Sequence, residues 1–198
     1  KFTTFTKKDA LEGGGVLAVA EDAEGNLWVG TDEGLSRFEG GVFTTETTGD
    51  GPTRAVTAIA LGGDGCLWLG TAAGLSCLRD GRPHTFTNAD GLPNDRITAL
   101  RAGGGGSLWV GTAGGLARWH GGRFETFKGE DDGLSDGIIL SIFEDAEGSL
   151  WVGTESEGLT QLKDRKFTTY TTRDGLSDNV VISIHGDAEG RLWIGTNG

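Results

Sequence analysis

One pattern, Leu-Trp-x-Gly-Thr, occurs five times along the chain and constrains its fold more than any other feature. The copies are Leu27-Trp28-Val29-Gly30-Thr31, Leu67-Trp68-Leu69-Gly70-Thr71, Leu108-Trp109-Val110-Gly111-Thr112, Leu150-Trp151-Val152-Gly153-Thr154 and Leu192-Trp193-Ile194-Gly195-Thr196. Their tryptophans lie 40, 41, 42 and 42 residues apart. A fixed period of this size marks an array of one supersecondary unit, whose faces are buried only by stacking on its neighbours.

Each copy divides into four strand-like segments. The first is aliphatic with a small residue at its middle, as in Val16 to Ala20, Ile97 to Arg101 and Val180 to His185. That composition suits a strand buried on both faces with one neighbour packed close. A turn ending in glycine follows, such as Asp22-Ala23-Glu24-Gly25, and a tight hairpin needs the positive φ that glycine supplies. The third copy has Gly103-Gly104-Gly105-Gly106 here, without a carboxylate. The turn therefore reads as a hairpin and not as a calcium loop, which needs more oxygen ligands. The Trp strand comes second, and its glycine removes a side chain where another backbone or ring must approach. The third strand begins Gly-Leu. The fourth is rich in threonine, as in Phe167-Thr168-Thr169-Tyr170-Thr171, and suits a solvent-facing edge.

Four antiparallel strands graded from apolar to polar describe a propeller blade, the first strands ringing an axis and the fourth forming the rim. The fold class expected is all-β: a β-propeller of five blades of about 41 residues each. The whole chain, 1–198, forms one domain, with blades near 13–47, 54–87, 95–128, 137–171 and 179–198, the last completed by 1–6. Lys1-Phe2-Thr3-Thr4-Phe5-Thr6 matches Lys166-Phe167-Thr168-Thr169-Tyr170-Thr171 at an offset of 165. The ring is thus expected to close by pairing the N-terminal strand with the C-terminal blade, where ladder hydrogen bonds hold both ends. A third strand for that blade is missing from both ends. Lost terminal residues, excision from a longer array, and a gap filled by another molecule all remain open, and an unpaired edge favours self-association.

Composition excludes several classes of partner. The net charge is −12, which opposes approach to nucleic acid or to an anionic membrane. No apolar run approaches the roughly 20 residues that span a bilayer. Glycine numbers 37 and proline only 3, and glycine without a collagen period or polar tracts points to many tight turns. The chain opens on Lys1-Phe2-Thr3 inside a repeat with no leader pattern, as a mature product or a fragment would. Cys66 and Cys77 fall on neighbouring strands of one hairpin, with Cys77 opposite Trp68 and Cys66 two positions beyond. That offset predicts free, half-buried thiols. With no histidine beside them, the cysteines are not a metal site. No cofactor or metal is expected.

The unit Asp-Gly-Leu-(Pro/Ser), aliphatic strand, Asp-x-x-Gly-x-Leu-Trp-(Val/Ile)-Gly-Thr, Gly-Leu-x-Arg-(Phe/Trp), Phe-Thr-x-(Phe/Tyr) resembles the two-component regulator propeller repeat. The best copies run from Asp90-Gly91-Leu92-Pro93 through Trp119 and from Asp174-Gly175-Leu176-Ser177 through Thr196. The resemblance implies an extracytoplasmic (periplasmic) sensor region of a bacterial hybrid histidine kinase, associated with sensing carbohydrate fragments. Propellers of that family are often seven-bladed. This chain has five copies, and they are unusually alike, as recent amplification or engineering would make them.

A site must lie where the blades differ. At the end of the first strand stand Ala20, Ala60, Arg101, Phe143 and His185, so Arg101 and His185 are candidates at one mouth of the axial channel. The loops before the first strands supply Arg54, Asn94, Asp95, Arg96, Asp136, Asp178 and Asn179. Loops on a rigid scaffold are where binding groups collect, although Asp and Asn also serve there simply as turn caps. Catalysis has little support. His84, His120 and His185 occupy three different positions in their copies, without a nucleophile at a motif spacing. The streptogramin-inactivating lyases are a related propeller with histidine chemistry, but no stretch here ties a histidine to a glutamate in that way. Two readings stay open: a non-catalytic module that binds an oligosaccharide or other small ligand, and a structural or interaction scaffold with no evolved ligand.

Overall fold

A computed structural model describes residues 2–46, 55–127, 134 and 137–198. Arg54 and Asp136, two of the candidate loop residues, lie outside the described residues. Among the described residues the secondary structure is strands and single 3-10 turns. The first sheet is β1 (Val16–Glu21), β2 (Leu27–Thr31), β3 (Leu35–Glu39) and β4 (Val42–Glu46). The second is β5 (Ala58–Leu61), β6 (Leu67–Thr71), β7 (Gly74–Arg79) and β8 (Arg82–Phe86). The third is β9 (Ile97–Ala102), β10 (Leu108–Thr112), β11 (Gly115–His120) and β12 (Arg123–Phe127). The fourth is β13 (Ile139–Glu144), β14 (Leu150–Thr154), β15 (Leu159–Lys163) and β16 (Lys166–Tyr170). The fifth holds β17 (Val181–Gly186) and β18 (Leu192–Thr196). Every sheet is an antiparallel meander in chain order, so the chain is an all-β propeller of five repeated sheets.

The first strands β1, β5, β9, β13 and β17 lie side by side in that order. Each blade presents a trailing face to the next blade's leading face. Between blades 1 and 2, Trp28 and Leu35 meet Val56, Leu67 and Leu69. Between blades 2 and 3, Trp68 and Leu75 meet Ile97, Leu108 and Val110. Between blades 3 and 4, Trp109 and Leu116 meet Ile139, Leu150 and Val152. The motif glycine is where the incoming strand sits. A Cβ on Gly70 would lie 2.7 Å from Ile97 Cγ2, and one on Gly111 would lie 2.7 Å from Ile139 Cγ2. The buried threonine that ends the motif closes the next turn: Thr112 Oγ1 donates to Gly115 O at 2.8 Å and accepts from Gly114 N at 3.1 Å.

The Asp-Gly-Leu element also gains a physical reading. Thr87 and Asp90 form a capping box around a 3-10 turn, Gly91 ends it at φ +107°, and Leu92 then drops into the core. Thr171, Asp174 and Gly175 repeat this arrangement, as do Thr6 and Asp9 with Ala10 at the left-handed position. Leu11 follows and is buried with Val29 and Phe43.

Two expectations are overturned. The ring is not closed. Residues 2–6 form no strand, and Phe5 packs instead on Phe38 and Phe43 of its own blade, each at 5.3 Å between ring centroids. The reason lies in the ladders. In every complete blade the fourth strand bonds to the third, and among the described residues no third strand runs beside β18. The second correction concerns the cysteines, which form a Cys66–Cys77 disulfide and leave no free thiol among the described residues. Cys77 does stand opposite Trp68, as expected. Cys66, however, lies at the end of the hairpin turn, just before β6. Twist brings one diagonal of an antiparallel pair together, and the two Cα atoms are 5.6 Å apart, within disulfide range.

Candidate functional site

The loop candidates are largely occupied with their own loops. Asp95 Oδ1 accepts from Asn88 N at 2.6 Å and Asn94 Oδ1 from Arg96 N at 2.9 Å. Asn179 Oδ1 accepts from Thr172 N at 2.9 Å, and Asp178 Oδ1 from Val180 N at 2.7 Å. The backbone of Asn179 takes the N–H of Gly158 at 2.9 Å, fastening one loop to the turn beside it. These side chains stand in for backbone partners at turns. The Arg96 side chain is left exposed.

The axial candidates come from blades 3 and 5, with blade 4 between them. The Arg101 guanidinium stacks over the Phe143 ring at 5.4 Å. Phe143 in turn lies against Gly186, where a Cβ would meet its Cζ. His185 is exposed and stands opposite Trp193 in the last hairpin. Arg101 is therefore anchored by a cation–π contact, and Phe143 of the same strand position stands between the blades that supply the two candidates.

The Asp at the first hairpin turn has a role that sequence reading missed. Trp28 Nε1 donates to Asp22 Oδ2 at 2.9 Å, Trp151 to Asp145 at 2.8 Å and Trp193 to Asp187 at 2.9 Å. The other oxygen of each carboxylate accepts turn amides, as Asp145 does from Glu147 N and Ser149 N. The Trp193 indole N–H, helped by Arg191 and Glu189, holds the Asp187 carboxyl below the usual carboxylate range against the push of burial. Burial pushes Asp22 and Asp145 up, but their hydrogen bonds from Asn26 and Trp28, and from Trp151 and Ser149, outweigh it and bring both below that range. Blades 2 and 3 carry Gly62 and Gly103 at this place.

A groove between blades, outside the axis, is a third place where blades differ. One ladder row runs across each blade from the tryptophan: Trp28–Arg37–Thr44, Trp68–Cys77–His84, Trp109–Arg118–Glu125 and Trp151–Gln161–Thr168. In blades 1 and 3 the arginine lies over its tryptophan, at 5.4 Å and 5.2 Å. Arg37 lines a groove of about 550 Å³ between blades 1 and 2. Arg118 borders two smaller spaces of about 440 and 310 Å³ between blades 3 and 4. Blade 2 has the short Cys77 instead, tied back to Cys66, and the groove beside it opens to about 940 Å³. Arg79, Arg82, His84, Phe86 and Trp119 line it. The sequence did carry a signal for this groove, because Cys77 breaks the Gly-Leu-x-Arg pattern of the third strand. Among the described residues, no three His, Cys, Asp or Glu side chains gather as a metal site.

Three stretches, residues 10–33, 133–156 and 175–198, match the family model "Two component regulator propeller". No curated protein matches the chain. Among solved structures, the chain is similar to the extracellular domain of BT3049, described as a hybrid two component system, from B. thetaiotaomicron. Identity is 25% with a TM-score of 0.80, over 95% of this chain and 26% of that one. It is also similar to virginiamycin B lyase from Staphylococcus aureus, at 13% identity and a TM-score of 0.71, covering 91% of this chain and 62% of the lyase. PorZ, a surface component of the type-IX secretion system of Porphyromonas gingivalis, matches at 19% identity and a TM-score of 0.50, over 91% of this chain and 37% of that one. The last two likenesses are of fold alone. The chain spans about a quarter of the length of the hybrid-system extracellular domain that it matches. Three of its repeats thus match the two-component regulator propeller model, and the chain is similar in fold to the extracellular domain of a hybrid two component system.

Proposed function

We propose that the chain is a ligand-binding sensor module in the extracytoplasmic part of a bacterial two-component regulator, with no chemistry of its own. The observation that carries this reading is the match over 95% of the chain to the extracellular domain of a hybrid system. Among the described residues no helix is long and apolar enough to cross a membrane, in keeping with a region outside the bilayer. The histidines support a non-catalytic role. His84 meets the edge of Phe86 at 4.5 Å, His120 stands across from Arg123 and His185 from Trp193, on three separate blades. Its ligand class, on this reading, is an oligosaccharide or another small polar molecule.

A thermal-shift screen over neutral and acidic oligosaccharides tests the proposal. A saturable rise in melting temperature with one class is expected, because a ligand that binds only the folded state stabilises it by mass action. Silence across the screen favours the second reading, a structural or interaction scaffold. One observation speaks for that alternative: the side chains of Asn94, Asp95, Asp178 and Asn179 are hydrogen-bonded within their own loops.

A further inference from the structure

We propose that the groove between blades 2 and 3 binds a small carboxylate carried on a six-membered ring. The proposal rests on the reading of the chain as a ligand-binding module and places the ligand away from the loops and the axis. The floor is aromatic. Trp68 is 2% exposed, its ring centroid is 5.8 Å from that of Trp119, and Phe86 lies 4.7 Å from Trp119. Two guanidinium groups stand on one wall. Arg79 and Arg82 face each other across strands three and four, and His84 stands two rows along the same ladder, opposite Cys77. Arg79 is held by the Asp64 carboxylate at 3.2 Å and the Asp64 carbonyl at 2.9 Å. Arg82 makes no ion pair among the described residues, although Asp80 also lines the groove. Facing this wall are Gly106, Gly121 and Gly122, which leave space where side chains would otherwise project.

The volume falls in the range of about 300–1,000 Å³ typical of small-molecule sites. A ring gains area and quadrupole contacts on Phe86 and Trp119, while a carboxylate gains charge-assisted hydrogen bonds from guanidinium groups. The neighbouring grooves act as internal controls, because there Arg37 and Arg118 fill the row position that the short Cys77 leaves open beside Phe86 and Trp119. Two sources share this chemistry, an aromatic acid and a sugar acid, and the test separates them.

Benzoate and glucuronate are titrated into the protein, with benzyl alcohol and glucose as neutral counterparts, and the indole N–H NMR signals of Trp68 and Trp119 are followed. At least one acid is expected to shift those two signals with an affinity about tenfold or more above its neutral counterpart, equivalent to about 1.4 kcal/mol. Cys66→Ser with Cys77→Arg restores the covering guanidinium and is expected to abolish the shifts. Cys66→Ser with Cys77→Ser loses the same disulfide but keeps the groove open, and it is expected to retain them. Equal response to acid and neutral probes overturns the proposal, as does silence to both acids or full binding in the arginine variant. An oligosaccharide hit from the thermal screen that survives in the arginine variant overturns the groove and leaves the sensor reading standing.

Discussion

The Trp151 indole N–H donates to Asp145 Oδ2 at 2.8 Å, fixing the central aromatic wedge of blade 4 to the turn that precedes its strand. The same clamp joins Trp28 to Asp22 and Trp193 to Asp187. The wedge and the hairpin turn are therefore one mechanical unit, since the same carboxylate takes the turn amides on its other oxygen.

Asp145→Ala removes both sets of bonds and leaves a partly buried indole N–H without its acceptor. The expected loss is about 1–3 kcal/mol, read as a lower urea midpoint at unchanged slope. An unchanged midpoint shows that the clamp contributes nothing to stability.

The clamps make stability depend on pH in a defined direction. Asp22, Asp145 and Asp187 are all held below the usual carboxylate range in the folded chain. A depressed folded pKa contributes stability that is present above the unfolded value, about 3.9, and is lost as pH falls through the folded value. Stability should thus be steady from neutral pH to about 5 and fall below about 4. The triple variant Asp22→Asn, Asp145→Asn, Asp187→Asn should show a shallower fall when denaturation is followed from pH 7 to pH 3.

The motif glycines should differ by position despite the same Leu-Trp-x-Gly-Thr motif. Gly111→Ala drives a methyl against Ile139 Cγ2 at 2.7 Å and Ala99 Cβ at 3.2 Å, and overpacking of this kind costs about 1–3 kcal/mol. Gly195→Ala meets the Ser183 hydroxyl, which can turn aside, and no incoming strand. It should cost about 0.5 kcal/mol or less. Equal costs in thermal unfolding of the dilute monomer contradict the blade packing described above.

Reduction of the Cys66–Cys77 bond opens a loop whose ends are 11 residues apart. A loss of about 2–4 kcal/mol is expected, measured by denaturation with and without a phosphine reductant. The Cys66→Ser, Cys77→Ser double variant should show the same loss and no response to reductant.

The periodic residues were legible because each serves a local rule repeated in every blade. Trp and Leu fill the same interface, the motif glycine admits the same strand, and Gly25, Gly65, Gly106, Gly148 and Gly190 all turn the same hairpin at positive φ. Asn94, Asp95, Asp178 and Asn179 were legible as loop polar groups, but their type fits both binding and the commoner role of capping. Only the hydrogen bonds show the caps. Arg79, Arg82 and His84 were not found because each belongs to a different strand position; Cys77 marks a break in the third-strand pattern, but one strand's pattern does not show which side chains of two blades line the groove.

The sequence by itself determined the blade: its four strands, its turns and its wedge, all of which follow from short-range alternation and a fixed period. Tertiary structure decided what depends on angle and on neighbours. Twist set Cys66 beside Cys77, and ladder chemistry kept residues 2–6 off β18, because a fourth strand has no partner where no third strand stands. The blade is a local solution repeated five times, whereas the contents of the grooves and the coverage of the end faces depend on residues far apart in the chain.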